Sequence, residues 1–233
     1  LLLTIIGCNN IEVKYSNSII SSPHPLASEA GRYIYSKGGN AFDAAVASAF
    51  ALSVVEPSMS GIGGRIQVIF KTQDGVISGI DGTTQIPKSF YSDDDLPSFG
   101  YKTIGIPGVV SGLLMLHEEN GQLDLETIMQ PAIKYAEDGF MLLPGEILRQ
   151  KYEKDKLESF EVGDRIIQKD LANTLKIISK EGKNGFYEGE IAKKIVDDIQ
   201  KNGGFITLED LKNYSAKRAK VLKGKFNGYN IHT

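Results

Sequence analysis

The stretch Gly61-Ile62-Gly63-Gly64-Arg65-Ile66-Gln67-Val68-Ile69-Phe70 decides which fold the chain can adopt. Three glycines fall within its first four positions, followed by an arginine and a strand-like apolar run. A P-loop would need Gly-x-x-x-x-Gly-Lys-Ser/Thr, and a dinucleotide fold would need Gly-x-Gly-x-x-Gly leading from a strand into a helix. Here the order is reversed. The run AFDAAVASAFALSV, Ala41 to Val54, reads as a helix before the glycines, and the strand comes after them. Both phosphate readings therefore fail on context. What remains is a glycine-rich lead-in to a central strand, its backbone packed too closely for Cβ atoms.

The flanking segments give a layered body. Ser18 to Ser22 is β-like, and Pro23-His24-Pro25 ends it. Leu26 to Lys37 places Leu26, Ala27, Ala30 and Ile34 on one helical face and stops at Gly38-Gly39. Asn40 caps the helix from Ala41, and Asp43 supports its first turn. That helix is small and apolar nearly all round, the pattern of a helix buried on most sides. Ile66 to Thr72 and Val76 to Asp81 flank a turn at Gln73-Asp74-Gly75 and read as a hairpin. Helices follow over Val109–Glu119, Leu125–Glu137 with a break or kink at Pro131, Gln168–Lys180 and Gly189–Lys201. Thr207-Leu208-Glu209-Asp210 is a capping-box start, and Phe226 to Thr233 is a hairpin turning at Asn227-Gly228. The order reads as strands first and helices later, in one α/β body without repeats or a linker.

Composition bounds the function. The chain has 233 residues, 41% hydrophobic and 24% charged, with a net charge of −3. That is ordinary globular composition, and nothing in it argues for a nucleic-acid or anionic-membrane surface. Leu1 to Cys8 is a short apolar run ending Ile-Ile-Gly-Cys, which resembles the end of a bacterial lipoprotein signal. Residues 1–17 are accordingly read as residual signal and linker, with Cys8 as the lipidated residue and the protein exported, touching a membrane only through that lipid. A buried first strand with a core cysteine is the alternative. Both chain ends read as cut, the first residue being Leu1 and the last lying within a strand.

Other chemistry is sparse. His24, His117 and His232 lie far apart with no zinc-type spacing, so no metal is expected. Asp93-Asp94-Asp95 reads as a solvated loop, and no Gly-x-Ser-x-Gly elbow is present. No convincing nucleophile emerges.

Seven stretches, taken in order, do resemble one family. They are Ser22–Gly31, Gly38–Val46, Val55–Gly64, Gly105–Gly108, Gln130–Ile133 with Ala136–Phe140, Gly185–Gly189 and Gly203–Leu211. Collinear over nearly the whole chain, they look like the N-terminal part of a γ-glutamyltranspeptidase. The resemblance implies an N-terminal-nucleophile hydrolase with an αββα sandwich, incomplete here, residues 18–233 being a large-subunit portion. It implies cleavage or transfer of γ-glutamyl groups by an N-terminal Thr on a small subunit from the same precursor, with that Thr's own amine as base. It also implies no metal and no organic cofactor. The catalytic Thr would lie beyond Thr233, so this portion alone is expected to be inactive. Without the small subunit, its sheet is expected to leave an apolar face or edge uncovered.

Two departures from the family pattern stand out. The resemblance implies an Arg that pairs with the substrate α-carboxylate, in an Asp-x-Arg-Glu-x-Ala-Pro segment. Here that segment is Asp81-Gly82-Thr83-Thr84-Gln85-Ile86-Pro87, with Thr83 in the Arg place and Thr84 in the Glu place. The family also continues Gly-Gly-Gly-Gly where this chain has Gly63-Gly64-Arg65-Ile66. One reading has Arg65 take over carboxylate recognition, with Thr83, Thr84 and Gln85 lining the same substrate site. The other has Arg65 in a structural ion pair with Asp81 or Glu56. A related acylase, a poly-γ-glutamate hydrolase and an inactive ligand-binding lipoprotein stay open as alternatives to the glutathione-hydrolase type.

Overall fold

The computed structural model describes residues 18–91, 98–146 and 160–233. Cys8, the segment 1–17 and Asp93 to Asp95 lie outside the described residues. Helix α1 (Pro25–Ser36) starts with Pro25 at its first position, and the His24 Nδ1 accepts from the Leu26 N–H. Helix α2 (Ala41–Val55) begins at a full capping box between Asn40 and Asp43. The Asn40 amide also donates to the Asn120 carbonyl at 2.7 Å, and buried Asp43 accepts from the Gln122 N–H at 3.0 Å. The cap thus ties the start of α2 to the chain just after α3.

Strands β1 (Ile66–Lys71) and β2 (Ile77–Gly82) pair antiparallel, turning at Gly75 with φ +90°. Helix α3 (Val109–Asn120) packs on this hairpin, and α4 (Leu125–Asp138) packs on α2. A short pair, β3 (Phe140–Met141) with β4 (Arg165–Ile166), leads to α5 (Lys169–Glu181), which lies against α4. Then come α6 (Lys183–Tyr187), α7 (Gly189–Lys201) and α8 (Leu208–Asn213), the last with its own capping box at Thr207 and Asp210. Strand β5 (Lys217–Ala219) returns to pair with β2, giving the order β1-β2-β5. Strands β6 (Lys223–Phe226) and β7 (Tyr229–His232) form the terminal hairpin, with Asn227 and Gly228 both at positive φ.

The core follows from period. On β1, Ile66, Val68 and Phe70 are shielded while Gln67, Ile69 and Lys71 are exposed, so one sheet face meets the helices. Phe70 packs edge-on against Phe42 of α2 at 5.4 Å. Helix α2 is buried from Ala44 to Val55 on nearly every side, between α1, α4 and α3. Its alanines are what let three neighbours approach at once.

Four expectations need correction. Ser18–Ser22 is not a strand; the Ser22 hydroxyl instead donates to the His24 carbonyl at 2.8 Å beside the start of α1. Pro131 does not break α4, which runs through it. An interior proline costs roughly 3 kcal/mol, but Ile128, Met129, Ala132 and Ala136 are all buried on α2 and α5, and a buried Ile or Met returns about 1.5–3 kcal/mol each. The order is not strands then helices: two helices precede the hairpin, and the third sheet strand comes at residues 217–219. The fourth concerns the glycines. An added Cβ at Gly61 or Gly63 would meet nothing within 4 Å, and at Gly64 nothing closer than 3.8 Å. The tight contacts lie elsewhere. A Cβ on Gly108 would stand 1.9 Å from the Gly82 carbonyl oxygen and 2.4 Å from the Tyr214 hydroxyl.

Exposed large apolar side chains are spread over the described residues, and the terminal hairpin carries one group of them. Leu222, Phe226, Tyr229 and Ile231 share one of its faces, and all are exposed. On the sheet's outer face Ile69 is 49% exposed.

Gly108→Ala is expected to lower stability by about 3 kcal/mol, because backbone atoms on the other side cannot yield. Gly61→Ala should change it by no more than about 0.5 kcal/mol. Denaturant midpoints of the two variants check this pair, and equal midpoints would refute it.

Candidate functional site

The site is built where β1 begins and β2 ends. Ile66 pairs with Gly82, so Arg65 immediately precedes this pair on one strand and Thr83 immediately follows it on the other. The Gly64 carbonyl accepts from the Gly108 N–H at 2.8 Å and the Val109 N–H at 3.2 Å. The lead-in to β1 is therefore pinned to the start of α3.

The Thr83 segment is held from three sides. Asp81 accepts from the Thr83 N–H at 2.9 Å and from the Thr83 hydroxyl. Those two hydrogen bonds, hydroxyl first, hold the Asp81 carboxyl below its usual range, with the Lys217 charge acting the same way. The Tyr214 hydroxyl donates to the Thr83 carbonyl at 2.8 Å. Gln85 and Ile106 exchange backbone hydrogen bonds of 2.8 and 3.3 Å. Tyr214 stacks on Tyr187 at 5.5 Å, and the Tyr187 hydroxyl donates to the Pro107 carbonyl at 2.8 Å. Burial pushes the Tyr187 phenol up, so it stays a neutral donor.

Arg65 is exposed and makes no hydrogen bond or ion pair with any described residue, Asp81 and Glu56 included. It lines an open cleft of about 490 Å³ with Leu52, Ser53, Ser60, Gly64 and Val109 among its walls. Thr83, Thr84 and Gln85 do not line that cleft. Thr83 and Thr84 are half-buried at the neighbouring strand end, and Gln85 is exposed beyond them. The four residues are thus gathered at one end of the hairpin but not in one cavity. Among the described residues, no group of three His, Cys, Asp or Glu could hold a metal ion. Sequence reasoning missed the Tyr187–Tyr214 pair, two tyrosines 27 positions apart that no spacing rule links.

Comparison with known proteins identifies the family. The family model described as Gamma-glutamyltranspeptidase matches residues 27–233. The chain belongs to the gamma-glutamyltranspeptidase family. It is 32% identical to the glutathione hydrolase proenzyme of Pseudomonas sp. (strain A14), over 99% of this chain and 44% of that protein. It is 36% identical to the capsule biosynthesis protein CapD proenzyme of Bacillus anthracis, over 92% of this chain and 40% of that protein. The gamma-glutamyltranspeptidase structure from Helicobacter pylori superposes with a TM-score of 0.85 at 34% identity, covering 94% of this chain and 71% of that one. The fold is therefore that of the N-terminal-nucleophile gamma-glutamyltranspeptidases. The chain spans less than half the length of the two proenzymes.

Thr83→Val deletes the hydroxyl donor and keeps the backbone one. The Asp81 carboxyl should then titrate closer to the ordinary value of about 3.9. Asp81 favours the folded form above that value and loses the effect as pH falls through its depressed one. Carboxyl-carbon NMR titration reads the shift; an unmoved midpoint would refute the assignment.

Proposed function

We propose that this chain is the large-subunit portion of an amidohydrolase or acyltransferase that cleaves γ-glutamyl amides. Its partner is the small subunit of the same precursor, which supplies the nucleophilic Thr. The reading includes export and a lipid anchor at Cys8, on the strength of the Ile-Ile-Gly-Cys motif.

In this proposal Arg65 binds the α-carboxylate of the acyl donor. The observation that carries it is an exposed arginine with no partner among the described residues, in an open cleft one step from the strand end where Thr83 stands. A guanidinium is suited to the role because its planar fork takes both carboxylate oxygens at once. Thr83, Thr84 and Gln85 offer uncharged hydrogen bonds from the neighbouring strand end. Thr83 already spends its hydroxyl proton on Asp81, so it meets substrate as an acceptor.

A second reading keeps the scaffold and changes the substrate. With Thr83 in the arginine place of the family pattern, the donor would be another acyl amide or a γ-linked glutamate chain. The similarity to CapD supports keeping it.

The full-length gene product should cleave itself and release the amine from a γ-glutamyl anilide. Arg65→Ala should raise KM by roughly 10- to 100-fold, the worth of a hydrogen-bonded charge pair, with kcat little changed. The double change Arg65→Gly with Thr83→Arg should recover part of that loss. An intact, inactive chain would refute the enzyme reading, and an unaltered KM would refute the role of Arg65.

A further inference from the structure

Three titratable side chains from distant parts of the chain are buried together beneath the loop that leads to Arg65. His24 precedes α1, Glu56 ends α2, and Glu146 follows β3; they are 4%, 4% and 3% exposed. The Ser58 hydroxyl donates to Glu146 at 2.8 Å, and the Ser60 hydroxyl donates to Glu56 at 3.2 Å. The Glu56 carbonyl also accepts from the Ser60 N–H at 2.9 Å and the Met59 N–H at 3.2 Å. Met59, Ser60, Gly61 and Gly64 go on to line the cleft at Arg65.

Before Ile62 packs on the core and the Gly64 carbonyl meets α3, the loop has few apolar anchors of its own. Pro57 and Met59 are exposed, Met59 by 69%, and Gly61 and Gly63 have open space where a Cβ would stand. A loop with so few apolar contacts opens easily unless polar tethers fix it. What the two buried carboxylates supply is direction: each fixes one hydroxyl of the loop. Among the described residues the buried His24 Nε2 meets no hydrogen-bond partner, and the ring packs edge-on against Phe140 at 6.3 Å. Burial holds the imidazole below its usual range while the charges of Glu146 and Glu56 work against that.

We propose that Glu146, and with it Glu56, are positioning residues that tether the 57–61 loop through Ser58 and Ser60 and so set the shape of the Arg65 cleft. The functional part of this inference rests on the reading that the cleft takes the acyl donor. The tether itself does not.

The test uses the full-length gene product and two readouts. In Glu146→Ala and in Ser58→Ala, backbone amide exchange over residues 57–65 should rise about tenfold or more, the worth of a lost hydrogen bond to a charged group. Exchange in α1 and α2 should not change. Glu146→Gln keeps an acceptor for Ser58 and should stay within about threefold of the parent. KM for the γ-glutamyl anilide should rise in both deleting variants with kcat within about twofold. Should Glu146→Ala fail to fold, Ser58→Ala alone decides, since it removes only a loop hydroxyl. Unchanged exchange over 57–65 in Ser58→Ala would overturn the tether, whether or not the protein hydrolyses the anilide. Raised exchange with an unaltered KM would uphold the tether and overturn the placement of the acyl donor at Arg65.

Discussion

Where β2 leaves the sheet, its backbone passes so close to the start of α3 that neither Gly82 nor Gly108 could carry a side chain. Much of the architecture is arranged around that contact. Gly112, one turn further along α3, leaves room for the Ile66 side chain, so the helix lies directly on the hairpin. The stacked Tyr187 and Tyr214 clamp the contact from below, one hydroxyl on the Pro107 carbonyl and the other on the Thr83 carbonyl. The Ser111 hydroxyl takes the Ala216 N–H at 2.9 Å, which brings the chain into β5. Helices, hairpin and third strand thereby meet at one point, and that point is also where Arg65 and Thr83 emerge.

Local chemistry was legible in the residues. Asn40 with Asp43 and Thr207 with Asp210 both form the reciprocal caps that their spacing suggests, because a cap needs only four consecutive residues. The Asn227-Gly228 turn and the all-round burial of α2 are local in the same sense. Long-range terms were not legible. Pro131 signals a break, and only packing against α2 and α5 outweighs it. The glycines of GIGG look as though they permit close approach, yet the close approach belongs to Gly82, Gly108 and Gly112, whose partners are distant in sequence.

The candidate site shows the same division. The missing arginine at Thr83 and the added one at Arg65 are visible as a paired departure from a family pattern. That they sit at adjacent strand ends follows from the register of β1 and β2. The cleft itself, and the buried Glu56 and Glu146 beneath its loop, depend on α2, α3 and the chain after β3 coming together. No spacing rule in the sequence connects Ser58 to Glu146.

The central claim is that the carboxylate-binding arginine has moved from the exit strand of the hairpin to its lead-in. A crystal structure of the processed full-length protein with bound L-glutamate tests it most directly. The expected result is an α-carboxylate held by both arms of the Arg65 guanidinium at about 2.8 Å, with Thr83 alongside. A bound glutamate whose α-carboxylate is held by other residues, with Arg65 turned to solvent, would contradict it.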